Sequence, residues 1–357
     1  MSAEFDTHRD QIAAILAAWG MADEIADQTA EVMAWTDLHG IDSHGISMLT
    51  VYDRRVKDRR VRMDAMPRIV ADGPVHVVVD GDGGLGHPAA RLAMEQAMAK
   101  AGHAGIGMAA VRNSAHFGAC GFYANMAAEA GMIGFVTTSA SGIQVAPAGG
   151  AQARLGTDPL AFAAPGEPGR PFLLDMATTT VAAGRIRNKE NEGLPCPPRW
   201  LLTRDGQPST DPTEARDKGG YLTSLGGTLD GSSYKGYGLS AMVNILSSCL
   251  SGATLITDPQ HTKKPQGMDI GHFFLAINPG VFRLVDDFRA DVAAFCDALR
   301  GTRPADPGQP VMVAGDPERA HAERRRRDGI PVAPGLLAKL RAIAAESGAA
   351  WYLGEPA

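Results

Sequence analysis

Residues 81–86 read Gly-Asp-Gly-Gly-Leu-Gly, between an alternating apolar run at Val75, Val77 and Val79 and an Ala-rich segment from Ala89 to Ala101. Strand, glycine turn and helix are the setting in which G-x-G-x-x-G cradles a dinucleotide pyrophosphate. That reading would commit the chain to a parallel Rossmann sheet. The residues downstream argue otherwise. A Rossmann unit places Asp or Glu at the end of the next strand to bind the ribose 2′-hydroxyl, and Arg112-Asn113 stand there. An arginine suits the 2′-phosphate of NADP, so that position alone leaves both readings open. His87-Pro88 occupy the tight glycine–helix junction, however, and 42 glycines in 357 residues make a chance match easy. A turn with structural or substrate-side duties is the better expectation.

The rest of the chain carries elements of both types. Asp6 or Thr7 is expected to cap a helix bearing Ile12, Ile15, Leu16 and Trp19, followed by helices over Asp23–Leu38 and Ser47–Asp58. Arg68–Asp80 reads as extended. Further helices are expected at Ala89–Ala101, Gly121–Ala130, Tyr237–Leu250, Phe288–Leu299 and Leu336–Ser347. Strands are expected at Ile106–Val111, Ile133–Thr137, Leu160–Ala164, Phe172–Asp175 and Gly271–Ile277. Pro, Gly and Asp recur through Gly193–Gly231, which should be rich in loops. The length favours two domains over one. Neither chain end makes a good core alone, so the tail is expected to return onto the N-terminal helices. The expected division is 1–67 and 301–357 as the two parts of a helical domain, and 68–300 as an α/β cofactor and catalytic domain.

A net charge of −6 gives no global attraction for nucleic acid or an anionic membrane. The basic run Arg324–Arg327 has no interleaved aromatic platform. It reads as a solvated helix face or a dimer-surface patch, with a basic rim near an anionic cofactor as the alternative. Cys120, Cys196, Cys249 and Cys296 form no CxxC, which leaves metal and disulfide readings weak and suits a reducing cytosol. Glu4, Asp6, Arg9 and Asp10 precede any apolar run, so no signal peptide is expected. No apolar stretch reaches the roughly 18 residues of a membrane span. The chain is expected to be cytoplasmic.

Three polar phrases embedded in glycine point to an enzyme acting on a small molecule: Asp42-Ser43-His44-Gly45, Asn113-Ser114-Ala115-His116-Phe117-Gly118 and Tyr234-Lys235-Gly236-Tyr237-Gly238. His116 falls between a predicted strand and a predicted helix. Hydride transfer to a ketone leaves negative charge on oxygen. An imidazolium within about 3 Å supplies the proton, and a neutral imidazole takes it in reverse. On the residues alone, a hydrogen-bonded structural histidine is an equal alternative. Ser43 lies outside any G-x-S-x-G elbow, which argues against a serine hydrolase; a helix-breaking polar turn is the other reading of that phrase. Asp175 ends the apolar run Phe172–Leu174 and either orients a histidine, accepts from cofactor hydroxyls, or caps a helix from Met176 onward. Lys235 opens a helix whose first amides, at Gly236–Gly238, suit a pyrophosphate. A plain surface lysine is the alternative.

Read in order, the chain contains DSHGISMLTVY from Asp42, VVVDGDGGLGH from Val77, VRNSAHFGACGFYANMAAEAGMIG from Val111 and VAPAGGAQARLGTDPLAFAAP from Val145. LLDMATTTVAAGRI from Leu173, SSYKGYGLSAMVNILSSCLSGA from Ser232 and VAGDPERAHAERRRRDGIPV from Val313 follow. This succession, over nearly the whole chain, resembles the malate/L-lactate dehydrogenase family that stands apart from the usual lactate dehydrogenases. Ureidoglycolate, sulfolactate, diketogulonate and piperideine- or pyrroline-2-carboxylate reductases belong to the same group. The resemblance implies an α/β fold with a non-Rossmann cofactor domain on a mixed, largely antiparallel sheet. It implies a helical domain formed by the two chain ends, a homodimer, and NAD or NADP as cofactor. The implied reaction is hydride transfer between nicotinamide and a small 2-oxo/2-hydroxy acid. Reduction of a cyclic imine acid such as piperideine-2-carboxylate is the alternative, with the proton going to nitrogen. A silent binding protein on the same scaffold is disfavoured, because His44, His116, Asp175 and Lys235 are all retained.

Residue by residue, the resemblance makes His116 the expected acid/base. His44 is a second site imidazole, and Ser43, His44 and Asp175 are counterparts of a Ser–His–Asp relay described in some members. It assigns cofactor contacts to Ser139, to Asp175-Met176-Ala177, to Lys235-Gly236 and to Ala314-Gly315-Asp316, and substrate contacts to His44 and Met48. No metal ligand is expected. Thr138 and Asp158 stand where Asn is usual, and Asp316 where Glu is usual. Met48 replaces the arginine that grips a carboxylate in relatives, and a thioether offers neither charge nor paired donors. At i, i+4 from His44, Met48 should share its face and line the pocket. Either Arg54 or Arg55 then reaches the substrate, or the substrate differs from malate and lactate. For the cofactor side, Lys235→Met should weaken nicotinamide cofactor binding in a direct titration without substrate. Unchanged affinity in an intact fold would remove Lys235 from the site.

Overall fold

The computed structural model describes residues 1–258 and 267–354. Seven strands form the central sheet: β1 (Arg68–Asp72), β2 (His76–Asp80), β3 (Ile106–Ser114), β4 (Ile133–Thr138), β5 (Leu160–Glu167), β6 (Arg170–Met176) and β7 (Ile270–Ile277). Their spatial order is β1-β2-β3-β7-β4-β5-β6. β2 and β3 run parallel, and every other neighbouring pair in this sheet is antiparallel. The sheet is thus mixed, largely antiparallel and non-Rossmann. β7 lies at its centre and reads Ile-Gly-His-Phe-Phe-Leu-Ala-Ile, the near-continuous apolar run of a strand covered on both faces. The extended segment expected over 68–80 is in fact a hairpin. Gly73-Pro74 break it, and the Gly73 amide closes the turn on the His76 carbonyl at 2.9 Å.

Ten helices of eight or more residues are described: α1 (Phe5–Ala18), α2 (Asp23–Leu38), α3 (Leu49–Lys57), α4 (Gly86–Ala104), α5 (Cys120–Glu129), α6 (Ala183–Asn191), α7 (Tyr234–Asn244), α8 (Val285–Arg300), α9 (Asp316–Asp328) and α10 (Pro334–Ser347). α1 begins two or three residues earlier than expected, with Glu4 rather than Asp6 or Thr7 at its cap position. α7 passes into a π-helical turn at Ile245–Cys249, where a single helix was expected.

Two large cores organise these elements. Ile12, Leu16 and Met33 from α1 and α2, Leu49 and Tyr52 from α3, and Leu337 and Leu340 from α10 form one cluster, so the two chain ends share a core. The other lies between the sheet and α4 and α5, with Val79, Met94, Val111, Phe117, Tyr123 and Phe274. The loop-rich stretch carries a three-stranded sheet of two-residue strands over a small cluster that includes Val145, Leu201 and Leu222. Among the described residues no helix is long and apolar enough to cross a membrane.

β2, the glycine turn, α4 and β3 make one βαβ unit, which is why residues 81–86 look like a dinucleotide fingerprint. The turn's amides point inward. Gly81 donates to the Arg112 carbonyl at 2.9 Å, Gly83 to that of Asn113 at 2.8 Å and Gly86 to that of His116 at 2.9 Å. Donors committed to this strand cannot cradle a pyrophosphate, and the glycines instead mount the segment that carries His116. A Cβ at Gly86 would come within 2.3 Å of the Ala115 carbonyl oxygen and 2.7 Å of the Phe117 Cβ. Gly86→Ala should therefore destabilise the protein by about 1–3 kcal/mol, the usual cost of overpacking, read as a lowered midpoint in urea. An unchanged midpoint would contradict this backbone-on-backbone mount.

Candidate active site

Two supports meet at one cavity. The loop between α2 and α3 carries Ser43 and His44, and the turn between β3 and α5 carries His116. The cavity encloses about 210 Å³, and His44, Met48, Arg55, His116, Ser139 and Gln144 are among the residues lining it. The two imidazole centroids stand 5.4 Å apart. Ser43 Oγ lies 2.7 Å from His44 Nδ1. The structure thus brings Ser43, His44, Met48, His116 and Ser139 together.

His116 is held through one nitrogen. The Tyr52 hydroxyl lies 2.7 Å from its Nδ1, and the Gly118 amide donates to the same atom at 3.3 Å. Gly118 aims that amide from a left-handed conformation, φ +81°, which favours glycine. Tyr52 is fully buried, and burial raises its phenol well above the ordinary range, so the hydroxyl keeps its proton. Burial also pushes His116 well below the usual imidazole value, reinforced by His44, His87, Arg55 and His272. Burial alone lowers His44.

Of the two arginines offered in place of the missing clamp, Arg54 is exposed and Arg55 lines the cavity. The Arg55 guanidinium sits 5.9 Å from the centroid of the Tyr52 ring, and its Nη2 reaches Ser141 Oγ at 3.4 Å. Its Nη1 is buried and has no hydrogen-bond partner among the described residues. A buried unpaired donor costs free energy unless a ligand satisfies it. Met48, Tyr52 and Arg55 recur at i, i+4 and i+7 on one helical face. That spacing was visible in the sequence, although nothing there marked Tyr52 as a partner of His116.

Asp175 is not among the residues lining the cavity. Its carboxylate accepts the Gly121 amide at 2.6 Å, at the start of α5, and makes no hydrogen bond to either imidazole. Burial pushes its pKa up to about 6. No helix begins at Met176, so Asp175 caps α5 rather than a helix of its own. Ala314 accepts from the Leu173 amide at 3.2 Å, which ties residues 314–316 to β6. The Asp316 carboxylate is spent on Arg300, Arg319 and the Val313 amide, leaving only backbone there to face a ligand. Lys235 is exposed and makes no ion pair among the described residues, and Gly236 packs on the backbone of Leu225. Asp158 accepts from the Ala140 and Gly156 amides at 3.1 Å each and from Ser240 at 2.7 Å, which fixes the loop beneath the cavity.

The basic run is not wholly solvated. Arg325 is buried and grips Asp42 at 2.5 and 3.0 Å, directly before Ser43. The group of ≥3 His, Cys, Asp or Glu that a metal would need is absent among the described residues.

Comparison with known proteins shows the family. The profile of the malate/L-lactate dehydrogenase family matches residues 3–341. The chain belongs to this family. It is accordingly an NAD(P)-dependent oxidoreductase of 2-oxo/2-hydroxy acids. It is 36% identical over 337 residues to a malate dehydrogenase of Pyrococcus abyssi, covering 94% of this chain and 91% of that one. It is 34% identical over 335 residues to an L-sulfolactate dehydrogenase of Methanocaldococcus jannaschii, covering 94% of each. The crystal structure of malate dehydrogenase from Entamoeba histolytica superposes with a TM-score of 0.92 at 31% identity, over 100% of this chain and 99% of that one.

His87 and His272, behind the two cavity imidazoles, are each pushed down to about 3 by burial. Unfolded imidazoles titrate near about 6.5, so between these values the unfolded chain binds more protons and stability rises with pH. The contribution is complete above that window and lost as pH falls through it. The melting temperature should therefore drop on acidification. His87→Leu, which removes two ring nitrogens without partners, should flatten the slope. An unaltered slope would show that His87 is not a source of the acid sensitivity.

Proposed function

We propose that this chain transfers hydride between NAD or NADP and a small 2-oxo/2-hydroxy acid of the malate, lactate or sulfolactate type, with the substrate carboxylate on Arg55. The observation that carries this reading is the buried, unpaired Nη1 of Arg55 beside two imidazoles in one cavity. A guanidinium offers a carboxylate two parallel donors, which makes good the loss at Met48. His44 and His116 then meet the C2 oxygen, whose charge changes in the reaction. Bound nicotinamide would supply or accept the hydride.

The residues present suit that cofactor. Asp175 keeps acceptor capacity beyond the Gly121 amide for ribose hydroxyls. Lys235 brings an ammonium free of ion pairs to the first turn of α7, where helix amides favour a pyrophosphate. Gly315, at φ +95°, offers backbone where a Cβ would come 3.2 Å from Leu173 Cβ. Ser139, Met176, Ala177, Gly236, Ala314 and the Asp316 backbone complete the proposed contacts. On this reading residues 1–67 and 301–357 form a helical unit and 68–300 a cofactor unit, of which 259–266 and 355–357 lie outside the described residues, and the enzyme is a cytoplasmic homodimer. The homodimer and the helical unit follow from the family resemblance, and the cytoplasm from the cysteine pattern.

The test is loss of reduced-nicotinamide absorbance with NADH and with NADPH, against pyruvate, oxaloacetate, sulfopyruvate and piperideine-2-carboxylate. Turnover of an oxo acid is expected, and turnover of none of the three would contradict the reading. Losing a charge-assisted contact of about 1.5–3 kcal/mol, Arg55→Met should raise KM for the oxo acid at least tenfold while cofactor affinity holds. Arg55→Lys should fall between. An unchanged KM would take the carboxylate off Arg55.

A further inference from the structure

We propose that Tyr52 is a positioning residue which, with the Gly118 amide, holds His116 as the neutral tautomer protonated on Nε2. His116 then donates a hydrogen bond to the substrate oxygen, while the proton passes through His44. The proposal rests on the dehydrogenase reading and divides the labour between its two histidines.

A backbone N–H only donates, so the Gly118 amide at 3.3 Å fixes His116 Nδ1 as an acceptor. The Tyr52 hydroxyl, 2.7 Å from the same nitrogen and fully buried, must then donate to it as well. A proton on Nδ1 would face the amide hydrogen directly. That disfavours both the imidazolium and the Nδ1–H tautomer, the two states between which a proton-carrying His116 would have to cycle. The titratable and charged groups facing the ring add no counter-charge. They are Tyr52 and Arg55 on α3, His44 in the loop before it, His87 on α4 and His272 on β7. No carboxylate is among them. A neutral Nε2–H can stabilise the developing oxyanion, as a preorganised donor does, without giving up its proton.

His44 is held differently. Its Nδ1 partner is Ser43 Oγ at 2.7 Å, and a hydroxyl can either donate or accept. Ser43 is also exposed, so this ring has a route to solvent protons. In reduction, bound reduced nicotinamide would supply a hydride, and with it both electrons, to C2, and the carbonyl π pair would move onto oxygen. The His44 Nε2–H bond breaks as the product O–H bond forms, which leaves the ring neutral with Nδ1–H donating to Ser43. Net uptake of one proton from solvent at Nε2, once the product leaves, restores the imidazolium.

The experiment uses the full-length protein. Glutamine places an amide N–H near the imidazole Nε2 position but neither takes up nor gives away a proton near neutral pH. His116→Gln should therefore keep kcat within about tenfold of the parent and leave its pH profile in place, whereas His116→Ala loses at least about 10²-fold. His44→Gln should lose at least about 10²-fold. Tyr52→Phe leaves Nδ1 with the longer Gly118 contact alone. It should lower kcat roughly tenfold, leave KM and cofactor affinity near the parent values, and add an ionisation to the pH profile. His116→Gln as inactive as His116→Ala, beside an active His44→Gln, would overturn the proposal. Nitrogen-15 histidine NMR of the parent protein decides the tautomer without any variant. A protonated Nε2 with a bare Nδ1 at His116 is expected, and Nδ1–H would overturn the proposal. That spectrum needs no turnover, so it fails separately from the dehydrogenase reading, which the substrate assays judge.

Discussion

The Asp37 carboxylate, closed off from water in α2, takes the Ile46 amide and His8 Nε2, each at 2.7 Å. Those two contacts tie α1, α2 and the loop bearing His44 to one point. The approach is close: a Cβ at Gly45 would fall 2.0 Å from the carboxylate carbon. Arg325, far along the chain in α9, bonds the Asp37 carbonyl and pairs with Asp42, so the C-terminal segment clamps the same loop. Removing one partner of such a buried charge costs about 3–5 kcal/mol. The position of His44 thus depends on residues from both chain ends.

His116 depends on a different support. Three amides of the glycine turn hold its strand by the backbone, and Phe117 stacks on His272 at 4.5 Å with their planes 4° apart. His272 in turn reaches Thr138 Oγ1 at 2.6 Å and Ser114 Oγ at 3.1 Å, which uses both of its nitrogens inside the protein. A ring so packed is a wall, not a proton carrier. Thr138, the hydroxyl in place of the usual amide, has its role in this buried network and lines the same cavity. The cavity therefore lies between a loop set by buried charge and a strand set by backbone hydrogen bonds.

Local pattern carried much of this. α2 follows its apolar period over the expected Asp23–Leu38, and β7 its apolar run, because burial on a repeating face leaves a trace in neighbouring residues. The grouping of His44, His116 and Ser139 was legible through the resemblance, and Met48 joined it through its i, i+4 spacing from His44. What stayed hidden is what distant residues do together. His8 and Asp37 belong to different helices, and Arg325 sits in a run of four arginines whose charge suggested solvent. Nothing near Tyr52 in the sequence says that it meets His116. The glycine turn misleads for the opposite reason: its local context is that of a βαβ phosphate loop, and only the partners of its amides reveal a scaffold.

Hydride delivery to C2 of an oxo acid can be followed by isotope transfer. The protein would be incubated with an oxo acid and NADH or NADPH carrying deuterium on the transferable C4 position, and the product analysed by mass spectrometry. A 2-hydroxy acid with one deuterium on C2 is expected, formed with the cofactor of either label that supports turnover. Product without deuterium at C2, or no product with any oxo acid, would contradict hydride delivery to C2.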